Sequence, residues 1–263
     1  MQKIVVLNSK GGSGKTTLTT NLVSSLVCSG TKPALIDLDP QGSSTRWLAN
    51  RPASVPAIAG TEGYAQSLQV TKTWLLRTPE NCDLAVIDTP ASLSRSDLVS
   101  ATRGADAILI PVMPSDIDIH AAMKCISDLL LVAKIRRPDR KIGIVANRVR
   151  TNTRVYTKLQ KFLASLDIPL IATLRDSQNY TRAFEFGLGI HEMPYSQVKK
   201  DIEAWEDITA WLQQLRTTRN STQQQFTCCA ANCSRFDLYI VSQLRRLSVR
   251  SSDLYTKSVV IRR

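Results

Sequence analysis

Short apolar runs alternate with longer amphipathic stretches along most of the chain. The runs fall at 3–8, 33–38, 84–87, 107–112, 142–146 and 168–174. They are brief and rich in β-branched residues, which predicts buried strands of a parallel sheet. Between them, apolar residues recur at helical spacing. Over 116–133, Ile119, Ala122, Met123, Ile126, Leu129, Leu130 and Ala133 share one face, with Ser115 placed as N-cap. Over 197–216, Val198, Ile202, Trp205, Ile208, Trp211, Leu212 and Leu215 predict a closing helix. The stretch 50–82 is broken by Pro52, Pro56, Gly60, Gly63 and Pro79 and reads as loop plus one helix. Strand and helix in alternation predict an α/β fold: a doubly wound, mostly parallel sheet with helices on both faces.

Composition narrows this reading. The chain has 263 residues, 43% hydrophobic and 21% charged, enough for a large domain with a buried core and unlike a disordered chain. No run of apolar residues is long enough for a transmembrane helix. The first eight residues are too short an apolar stretch for a signal peptide, so a cytoplasmic location is expected. Net charge is +12, a balance that favours polyanions. Residues 217–263 carry eight basic and two acidic side chains, half of that excess. This stretch opens on the polar, Gln-rich 217–225 and shows no further α/β pattern. It divides the chain into a domain over 1–216 and a basic tail over 217–263, expected to be poorly ordered.

Six cysteines are present. Cys28, Cys82 and Cys125 stand apart and read as reduced core thiols. Cys228, Cys229 and Cys233 cluster, but a metal site would want a fourth ligand, and neither His120 nor His191 is near in sequence.

The chemistry begins after the first strand. Ser9-Lys10-Gly11-Gly12-Ser13-Gly14-Lys15-Thr16-Thr17 joins that strand to a helix running through Val27. A strand, a glycine-rich turn and a helix N-terminus aim several backbone N–H groups at one spot and make an anion nest. Lys15 is placed for the β- and γ-phosphates and the Thr16 hydroxyl for Mg²⁺. The strict phosphate-loop pattern wants Gly at position 9, where this chain has Ser9. It carries instead a second lysine, Lys10, the mark of the deviant Walker A motif. Two further segments end strands with carboxylates, Asp37-Leu38-Asp39-Pro40-Gln41-Gly42 and Ile87-Asp88-Thr89-Pro90-Ala91. Ligands of open α/β sheets bind at such strand ends. Asp88 takes the Walker B position on Mg²⁺, and Asp39 is a candidate to position or deprotonate the attacking water and to sit near the metal. An aspartate at a strand end also caps helices and forms turns; three in this order downstream of a phosphate loop point to the nucleotide.

On these motifs the chain resembles the ParA/MinD group of deviant Walker ATPases, and within it the ParA branch without an N-terminal DNA-binding extension. Asp39-Pro40-Gln41-Gly42 is the most ParA-like stretch. The resemblance covers residues 1 to about 216 and implies a P-loop fold and an ATP hydrolase using ATP and Mg²⁺. It implies that Lys10 reaches across an ATP-dependent homodimer to the partner's nucleotide and acts there like an arginine finger. Gly11, Gly12, Ser13, Gly14, Lys15, Thr16 and Thr17 would bind phosphate, Thr16, Asp39 and Asp88 would serve the metal, and Asn147 would sit where the family contacts adenine. Asn147 reads equally well as a strand-end turn residue. The implied function is a switch that binds DNA without sequence preference, associates with the nucleoid and positions plasmid, chromosome or other cargo. A ParB-like or cargo adaptor would stimulate hydrolysis.

Basic residues are dense from Arg136 to Lys161, nine against the single acid Asp139, and Lys199, Lys200, Arg216 and Arg219 frame the closing helix. In the family, late basic residues hold DNA phosphates; a run of charge also reads as a solvated helix face. The tail segment 236–250 fits a basic amphipathic helix on a membrane, an unfolded arm on DNA, or an extension with no selected role. A MinD-like ATPase that patterns a membrane surface is therefore the second reading. A metabolic enzyme on the same fold fits less well: there is no room for a glutaminase domain, and Cys82 and Cys125 are misplaced for a cluster shared between protomers.

Overall fold

The apolar runs form strands whose side chains are buried on both faces, as a parallel sheet between helical layers demands. The computed structural model describes residues 1–64, 81–136, 141–150, 153–165 and 168–217. The elements run β1 (Gln2–Val6), α1 (Lys15–Cys28), β2 (Pro33–Asp37), α2 (Ser43–Ala49), β3 (Ala59–Glu62), β4 (Leu84–Asp88), α3 (Arg95–Thr102), β5 (Ala107–Val112), α4 (Asp116–Leu131), β6 (Ile142–Val149), α5 (Arg154–Ser165), β7 (Leu170–Arg175) and α6 (Gln178–Glu185). A 3₁₀ turn, Ile190–Glu192, and a closing helix α7 over 195–217 follow. Residues Met1–Leu215 form one compact unit. The tail beyond Thr217, with Cys228, Cys229, Cys233 and the segment 236–250, lies outside the described residues.

The sheet has seven strands in the order β3-β2-β4-β1-β5-β6-β7, and every pairing is parallel. Alternation along each strand splits the core in two. Ile4 and Val6 of β1 join α1, α2, α6 and α7 on one side, through Leu18, Leu22, Trp47, Ala183, Trp205 and Ile208. Val5 and Leu7 join α3, α4 and α5 on the other, through Leu98, Ile119, Ile126, Leu159 and Leu163. Because β4 inserts between β1 and β2, the ends of three strands meet at the sheet's centre, each followed by one of the motifs above.

Three expectations change. First, β3 stands where the sequence predicts loop. Its sequence, Ala59-Gly60-Thr61-Glu62, has no apolar run because it is an edge strand with alternate residues exposed. Gly60 takes no side chain there, since a Cβ would lie 2.0 Å from Leu48 Cδ2 of α2. The helix expected within 50–82 is not found on its described residues, 50–64 and 81–82; residues 65–80 lie outside the described residues. Second, Met123 is 44% exposed, at the edge of the α4 stripe rather than within it; Ser115 caps α4 as expected, accepting from the Asp118 N–H. Third, among the described cysteines only Cys125 is a core thiol; Cys28 is exposed and Cys82 half-buried. No described helix is long and apolar enough to cross a membrane.

The strap Gly187–Glu192 is bolted to α2 and α1. Arg51 forms a two-pronged ion pair with Glu192, at 2.6 and 3.0 Å, and its guanidinium stacks 4.9 Å from the Trp47 ring. It also donates to the carbonyls of Gly187 and Pro56, at 3.2 and 2.8 Å. The Trp47 indole donates to the Leu188 carbonyl at 3.0 Å, and the Ile190 N–H donates to Asn21 Oδ1 at 2.8 Å. Within this strap His191 meets Trp205 edge-on at 5.8 Å, and its Nδ1 is buried without a partner. Burial lowers the His191 pKa below 6.5, against the raising effect of Glu192. The unfolded chain then takes up a proton that the folded chain refuses. Stability contributed by neutral His191 is present above about pH 6.5 and is lost as pH falls below it. Melting temperatures from pH 7.5 to 5 should fall more steeply for the wild type than for His191→Phe. Parallel curves would exclude this source of acid sensitivity.

Candidate active site

Between β1 and α1 the chain turns tightly, with Gly12 at φ 74° and Gly14 at φ 95°. Both values lie in the left-handed region that favours glycine. A Cβ on Gly14 would also strike Asn147, 2.0 Å from its Nδ2. Gly14 caps α1 with no side-chain acceptor, and the helix ladder begins with Leu18 N–H to Gly14 O at 2.9 Å. The N–H groups of Lys15, Thr16 and Thr17 therefore lack helical partners and carry the positive end of the macrodipole. The nest expected from sequence is built.

Lys15 lies across this nest, 7% exposed, its ammonium donating to the Lys10 carbonyl at 3.2 Å. Burial lowers its pKa, while Asp88 and Asp39 act to raise it. Lys10 points elsewhere: its ammonium pairs with Asp118 Oδ2 of α4 at 2.7 Å, with Lys10 30% exposed and Asp118 1%. Ser9 uses its hydroxyl to hold the Ala121 carbonyl of α4 at 3.0 Å. The loop is thus pinned along one face of α4. Asn147, two residues before the end of β6, donates from Nδ2 to the Ser13 carbonyl at 3.0 Å, and its Oδ1 accepts from the Arg148 N–H. Its amide braces the phosphate loop.

Asp37 and Asp88 sit side by side in register on β2 and β4. Asp37 accepts from the Asp39 N–H and from the N–H and hydroxyl of Thr45, each at 3.0 Å. Burial still raises its pKa beyond what those bonds offset. Asp88 is 1% exposed and accepts from the Ser44 hydroxyl, with the Thr16 hydroxyl near enough to act to lower its pKa. Burial pushes its carboxyl up to about 6 against both hydroxyls. Asp88 Oδ1 is buried with no partner, as is Ser13 Oγ in the loop above. Asp39 is half-buried on the loop after β2, its Oδ1 accepting from the Gln41 N–H at 3.0 Å in an Asx turn.

An unpartnered carboxylate oxygen beside a threonine hydroxyl is a hard oxygen set that suits Mg²⁺, which keeps several waters and shares its shell with substrate phosphates. The residues present fit that ion. Among the described residues no group of three or more His, Cys, Asp or Glu side chains is placed to hold a metal by itself. The structure thus brings Gly11 to Thr17, Asp39, Asp88 and Asn147 to one end of the sheet. Three participants went unread in the sequence. Ser44 and Thr45 follow the Asp-Pro-Gln-Gly segment as the first turn of α2, and Asp118 stands three residues after the Ser115 cap. Only the last carried a local signal, the cap spacing.

Comparison with known proteins places this arrangement. Residues 4–190 match the family model described as the CobQ/CobB/MinD/ParA nucleotide binding domain. The chain is 29% identical over 195 residues to the maintenance of carboxysome distribution protein A of Halothiobacillus neapolitanus, covering 72% of this chain and 87% of that protein. It is 29% identical over 209 residues to the protein ParA of Rhizobium radiobacter, covering 75% and 88%. Its fold is similar to the plasmid partition protein of Borrelia burgdorferi B31 bound to AMPPNP, with TM-score 0.62 and 17% identity over 80% of this chain and 98% of that one.

Proposed function

The chain belongs to the CobQ/CobB/MinD/ParA nucleotide-binding family as an ATP hydrolase that uses Mg²⁺, and from that premise we propose that it is an ATP-dependent dimerising switch that binds DNA non-specifically and segregates or positions intracellular cargo. The cargo is a plasmid, a chromosome or another large body, and an adaptor that docks on the dimer stimulates hydrolysis. The relatives named for carboxysome distribution and for partition support this class of work. The proposed location is the cytoplasm, on the nucleoid.

One observation carries the reading: the Lys10 ammonium is parked on Asp118, outside its own phosphate nest, while Lys15 serves that nest. A partly exposed cation at the rim of one site is available to the phosphates of a second protomer. Ile117 and Met123, 72% and 44% exposed on the same helix as Asp118, are apolar surface for that partner to cover. In this scheme the N–H groups of Lys15 to Thr17 and the Lys15 ammonium hold the phosphates. Thr16 and Asp88 would hold the metal, which would supply positive charge to offset that of the phosphates. Asp39 orients the attacking water, and Lys10 of the facing protomer stabilises the charge that develops on the transferred phosphoryl group.

The test is binding of the purified chain to DNA of arbitrary sequence with ATP, with ADP and with no nucleotide, across a salt series. Binding should require ATP, weaken as salt rises, and vanish in Lys10→Ala and Lys15→Ala. If ATP brings no DNA binding, the reading fails; ATP-dependent binding to anionic vesicles would then favour the membrane-patterning alternative.

A further inference from the structure

The basic residues around α5 and α7 do not make equivalent surfaces. Arg154, Lys158 and Lys161 stand at i, i+4 and i+7 on the exposed side of α5, opposite the buried Leu159 and Leu163. The α5 sequence contains no acidic residue. Arg148 and Arg150, both exposed, lead into it from the end of β6. Among the described residues two carboxylates meet this row: Asp116 of α4 meets Lys158 at 3.2 Å, and Asp176 meets Arg150 at 2.9 Å. Both pairs are largely exposed, with side-chain accessibilities of 62% and 64%, and of 79% and 42%. Such pairs are worth little and exchange readily for other anions. The start of α7 is different. Lys199 and Lys200 share their helix with exposed Glu203, Glu206 and Asp207, so an approaching polyanion meets repulsion one turn away.

We propose that α5, with the β6 end that precedes it, is the surface that holds the nucleic-acid backbone, and that the start of α7 is not. The proposal rests on the DNA-binding reading above and names its surface. Arg154 to Lys161 spans about 10 Å of helix, a length over which one DNA strand passes about three phosphates. Contacts of this kind position a duplex and carry no sequence information, as a protein that travels over DNA requires. The row is also contiguous with the nucleotide site, because Asn147, one residue before Arg148, holds the Ser13 carbonyl of the phosphate loop.

The experiment compares three full-length proteins, each with ATP and one duplex of arbitrary sequence: the wild type, Arg154→Ala with Lys161→Ala, and Lys199→Ala with Lys200→Ala. Melting temperatures report that each is folded. The slope of log K against log salt should become shallower by about 1.8 in the α5 variant, from two lost phosphate contacts, and stay within about 0.5 of the wild type in the α7 variant. A shallower slope in the α7 variant alone, or in neither, overturns the α5 surface while leaving DNA binding intact. A wild type that binds no DNA with ATP overturns the proposed function itself.

Discussion

Lys15→Ala is expected to lower kcat for ATP by a hundred- to a thousandfold, the scale on which removal of one preorganised charge-stabilising donor acts. Lys15 is the only described cation whose ammonium lies across the phosphate nest, and it is 7% exposed, so water does not screen it. Its one hydrogen bond is to a neutral carbonyl, and nearby Asp88 and Asp39 act to hold the proton on it. A phosphate that gains this ammonium gains it in low dielectric, where a charge counts most. Lys15→Arg should not rescue. The planar fork needs more room than a compact ammonium, and the site is closed around it. The check is steady-state ATP hydrolysis with Mg²⁺ in excess, alongside nucleotide binding by calorimetry. A loss of less than tenfold in kcat would remove Lys15 from the chemistry.

The second large effect is on stability. Arg51→Ala should destabilise the fold by about 3–5 kcal/mol, because it leaves the Glu192 carboxylate buried without its counter-ion. Arg51 and Glu192 are 6% and 2% exposed, so the surface discount for ion pairs does not apply. The same substitution strips the Gly187 and Pro56 carbonyls of donors and uncovers the Trp47 ring. In a domain of this size the loss corresponds to a melting temperature lower by about 6–20 °C. Arg51→Lys should fall in between, keeping charge but not the two-pronged geometry. Urea unfolding of the three proteins measures this, and a loss below about 1 kcal/mol for Arg51→Ala would show the pair to be replaceable. Because α2 also carries Ser44 and Thr45, which hold Asp88 and Asp37, the variant should lose ATPase activity below the temperature at which it melts.

Much of this architecture is written locally. Strands buried on both faces must be apolar throughout, and a helix packed on one side must be apolar every third or fourth residue, so β1, β2, β4, β5 and α4 announced themselves. The phosphate loop did so for a stricter reason: positive φ at Gly12 and Gly14 leaves almost no other residue possible. The edge strand β3 was silent because half of it faces water and its glycine makes room for Leu48. The core position expected for Cys28 failed because a helix end can be apolar in sequence and still face solvent.

What the chain by itself determined is therefore the class of chemistry: a nest for phosphate, two lysines, and carboxylates at strand ends. What the tertiary structure decided is how those groups are engaged. Lys10 finds Asp118 across 108 residues, Asn147 finds Ser13 across 134, and Ser44 finds Asp88 across 44. None of these pairs has a signature in sequence, because each depends on the strand order that sets β4 between β1 and β2 and brings β6 two places from β1. Charge shows the same division. The count of basic residues is legible in the sequence, but whether a lysine stands in a row of cations, as on α5, or among carboxylates, as on α7, is fixed only when helices turn one face outward and bury the other.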